Sequence, residues 1–259
     1  MNRRLREWFI EFIYWRLIPF FSKLHFELEI KRLAAYLAAG EVGRNSGEIT
    51  KTELRTILGS VSNILEIGAN DGRDTLELAL TFPNAQIHAV ECDVRLIGLF
   101  HQRMYRFKRV HLYSFAAWNT ERFIKFYSSS GTSMGSSSLL KPKLIKDLEP
   151  GISFDSDIPV LAAPVSKLIE SIALNEIDLV WMDVQGAEFT ILKDLQPFLM
   201  RIKSIYLEVE HQEKYEGEAL YSEILEFFSS NDFVPRREMN DGSQVVNALF
   251  TNNRFSNIG

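Results

Sequence analysis

From residue 61 onward, short continuous apolar runs alternate with longer stretches whose apolar residues recur at helical spacing. Residues 61–67 form one such run and end in Gly68-Ala69-Asn70-Asp71-Gly72, which reads as a strand and a tight turn. Residues 74–82 place Leu76, Ala79 and Leu80 on one helical face and stop before Pro83. A second strand is expected over 86–90, closed by Glu91. A helix over 95–107 follows, with Leu96, Leu99, Phe100 and Met104 inward. Residues 110–115 predict a third strand, and 122–127 alternate like an edge strand. Residues 128–157 are rich in Ser, Gly and Lys, show little periodicity and predict a long loop. Ser166 is placed to cap a helix running to Ala173. A continuously apolar strand over 177–182 ends in Asp183-Val184-Gln185-Gly186. Phe189, Leu192, Leu195 and Leu199 predict a helix interrupted near Pro197. A strand (203–209), a helix (219–228) and an antiparallel pair (233–237 with 245–250, about Asn240-Asp241-Gly242) complete the chain.

Strands that alternate with helices imply an α/β, doubly wound, mostly parallel sheet covered on both faces, here with a terminal antiparallel strand pair. Such sheets bind ligands beyond the carboxyl ends of their strands. The unusual clusters at 68–72, 91–92, 115–117 and 183–188 lie at such ends.

The first 40 residues differ. Arg3, Arg4 and Arg6 precede an aromatic-rich apolar stretch to Phe21 that Glu11 and Arg16 interrupt. No small-residue cleavage site follows promptly, and the run falls short of a membrane span. Two readings remain for this N-terminal helical extension. One is a helix packed on the main domain as a lid or cap; the other is an interfacial helix making peripheral contact with the inner face of a membrane through residues 1–21.

With 259 residues, 46% hydrophobic and 24% charged, the chain can bury one full core plus an extension. A formal net charge of −5 argues against a dedicated nucleic-acid binder. Cys92 is the only cysteine, so no internal disulfide can form, which fits a reducing cytoplasm.

A strand turning sharply into a helix needs residues that tolerate positive φ, hence Gly68, Asn70 and Gly72. The helix start offers free N–H groups and a partial positive charge. A dinucleotide site would require Gly-x-Gly-x-x-Gly; that pattern is not met, and Glu66 stands just before the turn. A carboxylate beside a helix start suits the ammonium and carboxylate of S-adenosylmethionine. Glu91, 19 residues beyond Gly72, is positioned to accept hydrogen bonds from ribose hydroxyls. Phe115 and Ala116 are candidates to enclose the adenine, while Cys92 beside Glu91 reads first as packing. Glu66, Gly68, Ala69, Asn70, Asp71, Gly72, Glu91, Cys92, Phe115 and Ala116 are therefore the candidate cofactor-binding residues.

The sequence resembles the FkbM-type methyltransferase family from about residue 64 to 250. The resemblance rests on Ile67-Gly68-Ala69-Asn70-Asp71-Gly72, Ala89-Val90-Glu91, Ser137-Ser138-Leu139, Asp183-Val184-Gln185-Gly186-Ala187-Glu188 and Leu207-Glu208-Val209-Glu210. It implies a Rossmann-like methyltransferase domain over 51–259 behind an extension over 1–50. It further implies S-adenosylmethionine as cofactor and O-methylation of a glycan or small-molecule acceptor. Two positions depart: the family usually has Glu where Gln185 stands, and often Lys where Trp181 stands.

Methyl transfer to an alcohol releases a proton, which a carboxylate or imidazole can take. Asp183, at the end of a central strand, is the candidate base; it is also placed to hold the donor's ammonium or to cap the next helix. His211 is a second catalytic candidate, able to reach the acceptor or to join Asp183 and Glu210 on a metal, or simply a solvated strand-end histidine. Spacing establishes no metal site. Glu188 reads equally as a helix-dipole partner. Residues 128–157, with Ser137 and Ser138, are expected either to close over the acceptor or to be a disordered insertion. A catalytically silent binding module and a nucleotide-dependent oxidoreductase are the rival functions.

Overall fold

The computed structural model describes residues 18–39, 49–239 and 244–255. Residues 1–17, with most of the basic and aromatic start, and the expected turn Asn240-Asp241-Gly242 lie outside the described residues.

The apolar runs become the strands β1 (Asn63–Ile67), β2 (Gln86–Val90), β3 (Val110–Tyr113), β7 (Leu179–Met182) and β8 (Ser204–Glu210). Two long antiparallel strands, β9 (Phe233–Met239) and β10 (Val245–Asn252), complete a seven-stranded sheet in the order β3-β2-β1-β7-β8-β10-β9. Neighbouring pairs from β3 to β8 are parallel, while β10 runs antiparallel to both β8 and β9. The central strands read as unbroken apolar runs because each side chain meets protein whichever way it points. Ile64, Leu179 and Tyr206 pack on one face with Leu54 and Leu78; Leu65, Val180 and Leu207 pack on the other with Ile191, Leu192 and Ile224.

The helices α2 (Lys51–Leu58), α3 (Arg73–Thr81) and α4 (Val94–Met104) supply or adjoin the first face. On the second lie α6 (Val165–Ser171), α7 (Glu188–Leu195) and α8 (Tyr221–Ser229). Their starts follow local chemistry. The Thr50 hydroxyl accepts the Glu53 N–H at 3.1 Å, and the Asp93 carboxylate accepts that of Arg95 at 3.0 Å. The helical pattern near Pro197 does break: α7 ends at Leu195 and a 3₁₀ segment, Gln196–Arg201, takes over.

Ahead of the sheet, α1 (Ile18–Ala39) lies across α3 and α4 and buries Phe26 and Leu33. Arg103 on α4 pairs with Glu29 at 3.1 Å and with Asp71 at 3.1 Å, tying α1 to the turn after β1. No helix among the described residues is long and apolar enough to cross a membrane.

Two expectations are corrected. Residues 128–157 are not one loop: β5 (Arg122–Gly131) continues through its serines, α5 (Ile145–Leu148) forms a short turn, and β6 begins at Ile152 and runs to Ala163. With β4 (Ala116–Ala117) these strands make a second, three-stranded sheet, so 122–127 is an edge of that sheet and not of the main one. Serine-rich sequence hides the strands because buried positions in β5 are filled by Ser128 and Ser129, while the apolar positions Ile124, Phe126, Ile158, Val160 and Ala162 form only a small cluster at the other end of the pair. At the serine end cross-strand hydroxyls add to this packing, as between Ser130 and Ser153 at 2.8 Å. Ser166 does not cap α6, whose N-cap is Pro164; its hydroxyl and N–H both go to Asp194, at 2.5 and 3.0 Å.

Candidate functional site

The chain leaves β1 for β2 on one side, whereas β7 leads to β8 on the other. The crevice at the carboxyl ends of β1 and β7 is therefore the switch point of the sheet. Two loops meet there. Gly68, with φ +89°, lies so close to the second loop that a Cβ would stand 1.8 Å from the Asp183 carbonyl oxygen. The Asp183 N–H donates to the Ile67 carbonyl at 3.1 Å, extending the β1–β7 ladder one residue into the crevice. Asn70 and Gln185 both adopt left-handed backbone, at φ +51° and +54°.

A cleft opens at this point. Gly68, Asn70, Glu91, Cys92, Phe115, Ala116 and Asp183 line it, so seven of the expected site residues converge on one space. Glu91 is 7% exposed, and its oxygens accept the N–H groups of Asn70 at 2.7 Å and Asp93 at 2.6 Å. Burial pushes its carboxyl upward against the pull of those bonds. Burial likewise pushes the Cys92 thiol up, reinforced by Glu91 and Asp93, which keeps it protonated and inert.

Other expected residues sit elsewhere. Ala69 is in the core against α4, and Gly72, at φ +82°, ends the turn against the Phe100 ring. The Asp71 side chain is committed to Arg73 and Arg103. Glu66 points beneath the turn, fully buried, with both carboxylate oxygens lacking a hydrogen-bond partner among the described residues. Burial raises its carboxyl to about 8. Beside it, buried Lys51 pairs with Asp74 at 2.8 Å and Glu77 at 3.6 Å and lies 3.7 Å over the ring of Trp181, which itself stacks on Tyr206. His211 is exposed beyond β8, its ring edge-on to Tyr221 and outside the lining of the cleft. Among the described residues no three His, Cys, Asp or Glu side chains are grouped to hold a metal.

Asp183 does not cap α7, whose N-cap Ala187 has no side-chain bond. Instead buried Glu188 accepts the Val184 N–H at 3.0 Å, and burial raises its carboxyl to about 8. Glu188 thus shapes the 183–187 loop from below.

The lining takes in more of the 128–157 stretch, where the Ser137-Ser138-Leu139 run carries part of the family resemblance and Met134 and Gly135 carry no signal of their own. Met134, Gly135, Ser137 and Leu139, from the stretch between β5 and α5, form part of the wall. Ser137 is fixed by the Ser129 N–H at 2.9 Å, and Ser138 donates to the Gln185 carbonyl at 2.7 Å. Arg95 braces this wall through Asp93, the Ser129 carbonyl at 2.8 Å and Ser137 at 3.2 Å. Asp93 was readable as the N-cap of α4. Tyr215, which donates to the Ser136 carbonyl at 2.7 Å, carried no local signal because its partner is distant in sequence.

Comparison with known proteins places the chain in a family. A model of the methyltransferase FkbM domain matches residues 66–235. The chain is 31% identical over 176 residues to the 2-O-methyltransferase NoeI of Sinorhizobium fredii (strain NBRC 101917 / NGR234), covering 66% of this chain and 72% of that protein. A solved candidate O-methyltransferase from Klebsiella pneumoniae superposes with a TM-score of 0.50 at 14% identity, over 86% of this chain and 89% of that one. Fibrillarin of Aeropyrum pernix, solved with natively bound S-adenosyl-L-methionine, gives 0.45 at 8% identity, over 75% and 68%. At such identities the structural likeness speaks to the fold alone, which is that of Rossmann-like methyltransferases.

Proposed function

The chain belongs to the methyltransferase FkbM domain family, and from that premise we propose that it O-methylates a hydroxyl of a glycan or small molecule, with donor and acceptor meeting in the β1–β7 cleft. The observation that carries this reading is the convergence of the Gly68 turn, Glu91 and Asp183 on one space. The alternative of a catalytically silent module is not favoured by the relationship to a 2-O-methyltransferase.

S-adenosylmethionine is the methyl donor and supplies an electrophilic methyl group. The lining suits it. Gly68 lets the backbone come close, the Asn70 side chain and the outer lone pairs of Glu91 offer polar contacts, and Phe115 with Ala116 offers an apolar slot. Asp183 stands across the cleft as the base for the acceptor hydroxyl proton, and most of the remaining acceleration comes from alignment. The single cysteine fits a cytoplasmic enzyme, and the basic, aromatic start fits contact with the inner face of a membrane.

Asp183→Asn tests the assignment. Radiolabelled methyl transfer to a panel of sugars should fall about 10²–10⁴-fold, with S-adenosylhomocysteine affinity preserved by calorimetry. Lost donor affinity would make Asp183 a donor ligand, and near-normal turnover would remove it as base.

A further inference from the structure

We propose that Gln185 is a positioning residue for Asp183: its side-chain amide fixes the orientation of that carboxylate and keeps the local negative charge on it. This rests on the reading of Asp183 as base.

The geometry is specific. Gln185 Nε2 donates to Asp183 Oδ1 at 2.7 Å. A left-handed backbone at φ +54° accompanies this folding of the side chain onto the residue two positions back, a conformation that non-glycine residues adopt rarely and that needs support. Support comes from two distant segments. The Ser138 hydroxyl donates to the Gln185 carbonyl at 2.7 Å, and the Tyr215 hydroxyl, whose proton also serves the Ser136 carbonyl, lies 3.2 Å from Gln185 Oε1. The ionised carboxylate, which only accepts, fixes the end of the amide facing it as nitrogen.

The surroundings give this contact its consequence. Asp183 faces Glu188 from α7, Glu208 from β8 and the Tyr215 phenol, and the electrostatics couple all four. Burial raises Glu188 and Glu208, so both favour their protonated forms, and the phenol is raised as well. Lys214 pairs with Glu210 at 2.7 Å and draws Glu208 downward against its burial. Across the cleft, Glu91 and Asp93 are already held by backbone N–H groups and Arg95. Within this group of carboxyls, the Gln185 amide gives Asp183 a hydrogen bond that stabilises its ionised form. A glutamate at 185 would place a second carboxylate at that distance, and the pair would share a proton.

The test reads the charge directly. Asp183 is followed by carboxyl ¹³C NMR across pH in γ-¹³C-Asp protein, assigned by its loss in Asp183→Asn. In Gln185→Glu the Asp183 midpoint should rise by about one pH unit or more. In Gln185→Met, which removes the amide without adding charge, it should rise by a smaller step. S-adenosylhomocysteine affinity should stay at the wild-type value in both. Where Gln185→Glu does not fold, the methionine variant alone decides. Midpoints equal to wild type overturn the proposal. If the midpoints move while Asp183→Asn turns over normally, Gln185 does control Asp183 but Asp183 is not the base, so the two readings fail separately.

Discussion

At the scale of single residues, the cleft depends on contacts that tolerate little change. Gly68→Ala would drive a methyl carbon to 1.8 Å from a backbone oxygen, and flexible side chains cannot relieve a clash between backbones. We expect a stability loss of about 3 kcal/mol by chemical denaturation and no calorimetric binding of S-adenosylhomocysteine; normal binding would mean the turn adapts. Glu91→Ala removes the acceptor for two backbone N–H groups as well as a candidate donor contact. Donor affinity should fall at least tenfold, about 1.5–3 kcal/mol for a charge-assisted bond, and unchanged affinity would take Glu91 out of the site. Glu66 predicts a pH effect. Its folded carboxyl titrates at about 8 against an ordinary 4.5, so above pH 4.5 the unfolded chain loses a proton that the native state keeps. Stability therefore falls as pH rises through the interval from 4.5 to about 8. Glu188 and Glu208 add falls of the same sign. Glu66→Gln should therefore remove only the share of Glu66, making the variant about 3 kcal/mol more stable than wild type at pH 7 and no different near pH 4. Equal stability at both pH values would show that Glu66 finds a partner on ionising.

At the scale of elements, the wall over the cleft hangs from a few side chains. The segment between β5 and α5 has little regular structure, yet Tyr127 and Ser138 exchange backbone bonds at 2.8 and 3.1 Å, and Tyr215 holds Ser136 from across the site. Such a segment opens locally at a free energy set by those contacts. Tyr215→Phe removes the buried hydroxyl, and exchange of amides 134–140 should accelerate about tenfold, while amides of β1 and β7 keep their protection. A uniform change across the protein would instead show that the wall has no opening of its own.

At the scale of the whole molecule, α1 is bound to the catalytic fold by apolar burial and by the Glu29–Arg103–Asp71 chain, which ends one residue from the cleft-lining Asn70. Phe26, 5% exposed, packs under the Arg103 guanidinium. Phe26→Ala should cost about 3 kcal/mol and lower Tm, with donor affinity unaltered because the Asp71 side chain does not line the cleft. A parallel fall in donor affinity would make α1 part of the site's support. The buried Lys51–Trp181–Tyr206 stack similarly carries the start of α2 onto the two central strands.

The sequence by itself determined the strands of the main sheet, the helices between them, the parallel arrangement and the residues at its carboxyl edge. Those features are written in local periodicity and in turn chemistry, as at Gly68 and Asn70, where backbone conformation selects the residue type. It also carried the Asp-Val-Gln-Gly-Ala-Glu block, because a polar cluster ending an apolar strand stands out in one dimension. Only the tertiary structure decided which carboxylates face the cleft. Glu66 and Asp183 both flank glycine turns, yet side-chain direction sent Glu66 under the sheet's covering helices and left Asp183 at the opening. The second sheet was equally hidden, since serines occupy buried positions of β5 and its apolar cluster is small, so pairing between β5 and β6 is what reveals it. Tyr215 and Gln185 are 30 residues apart, and no local propensity encodes their contact. Their meeting depends on how the loops after β7 and β8 are brought side by side by the parallel strands beneath them.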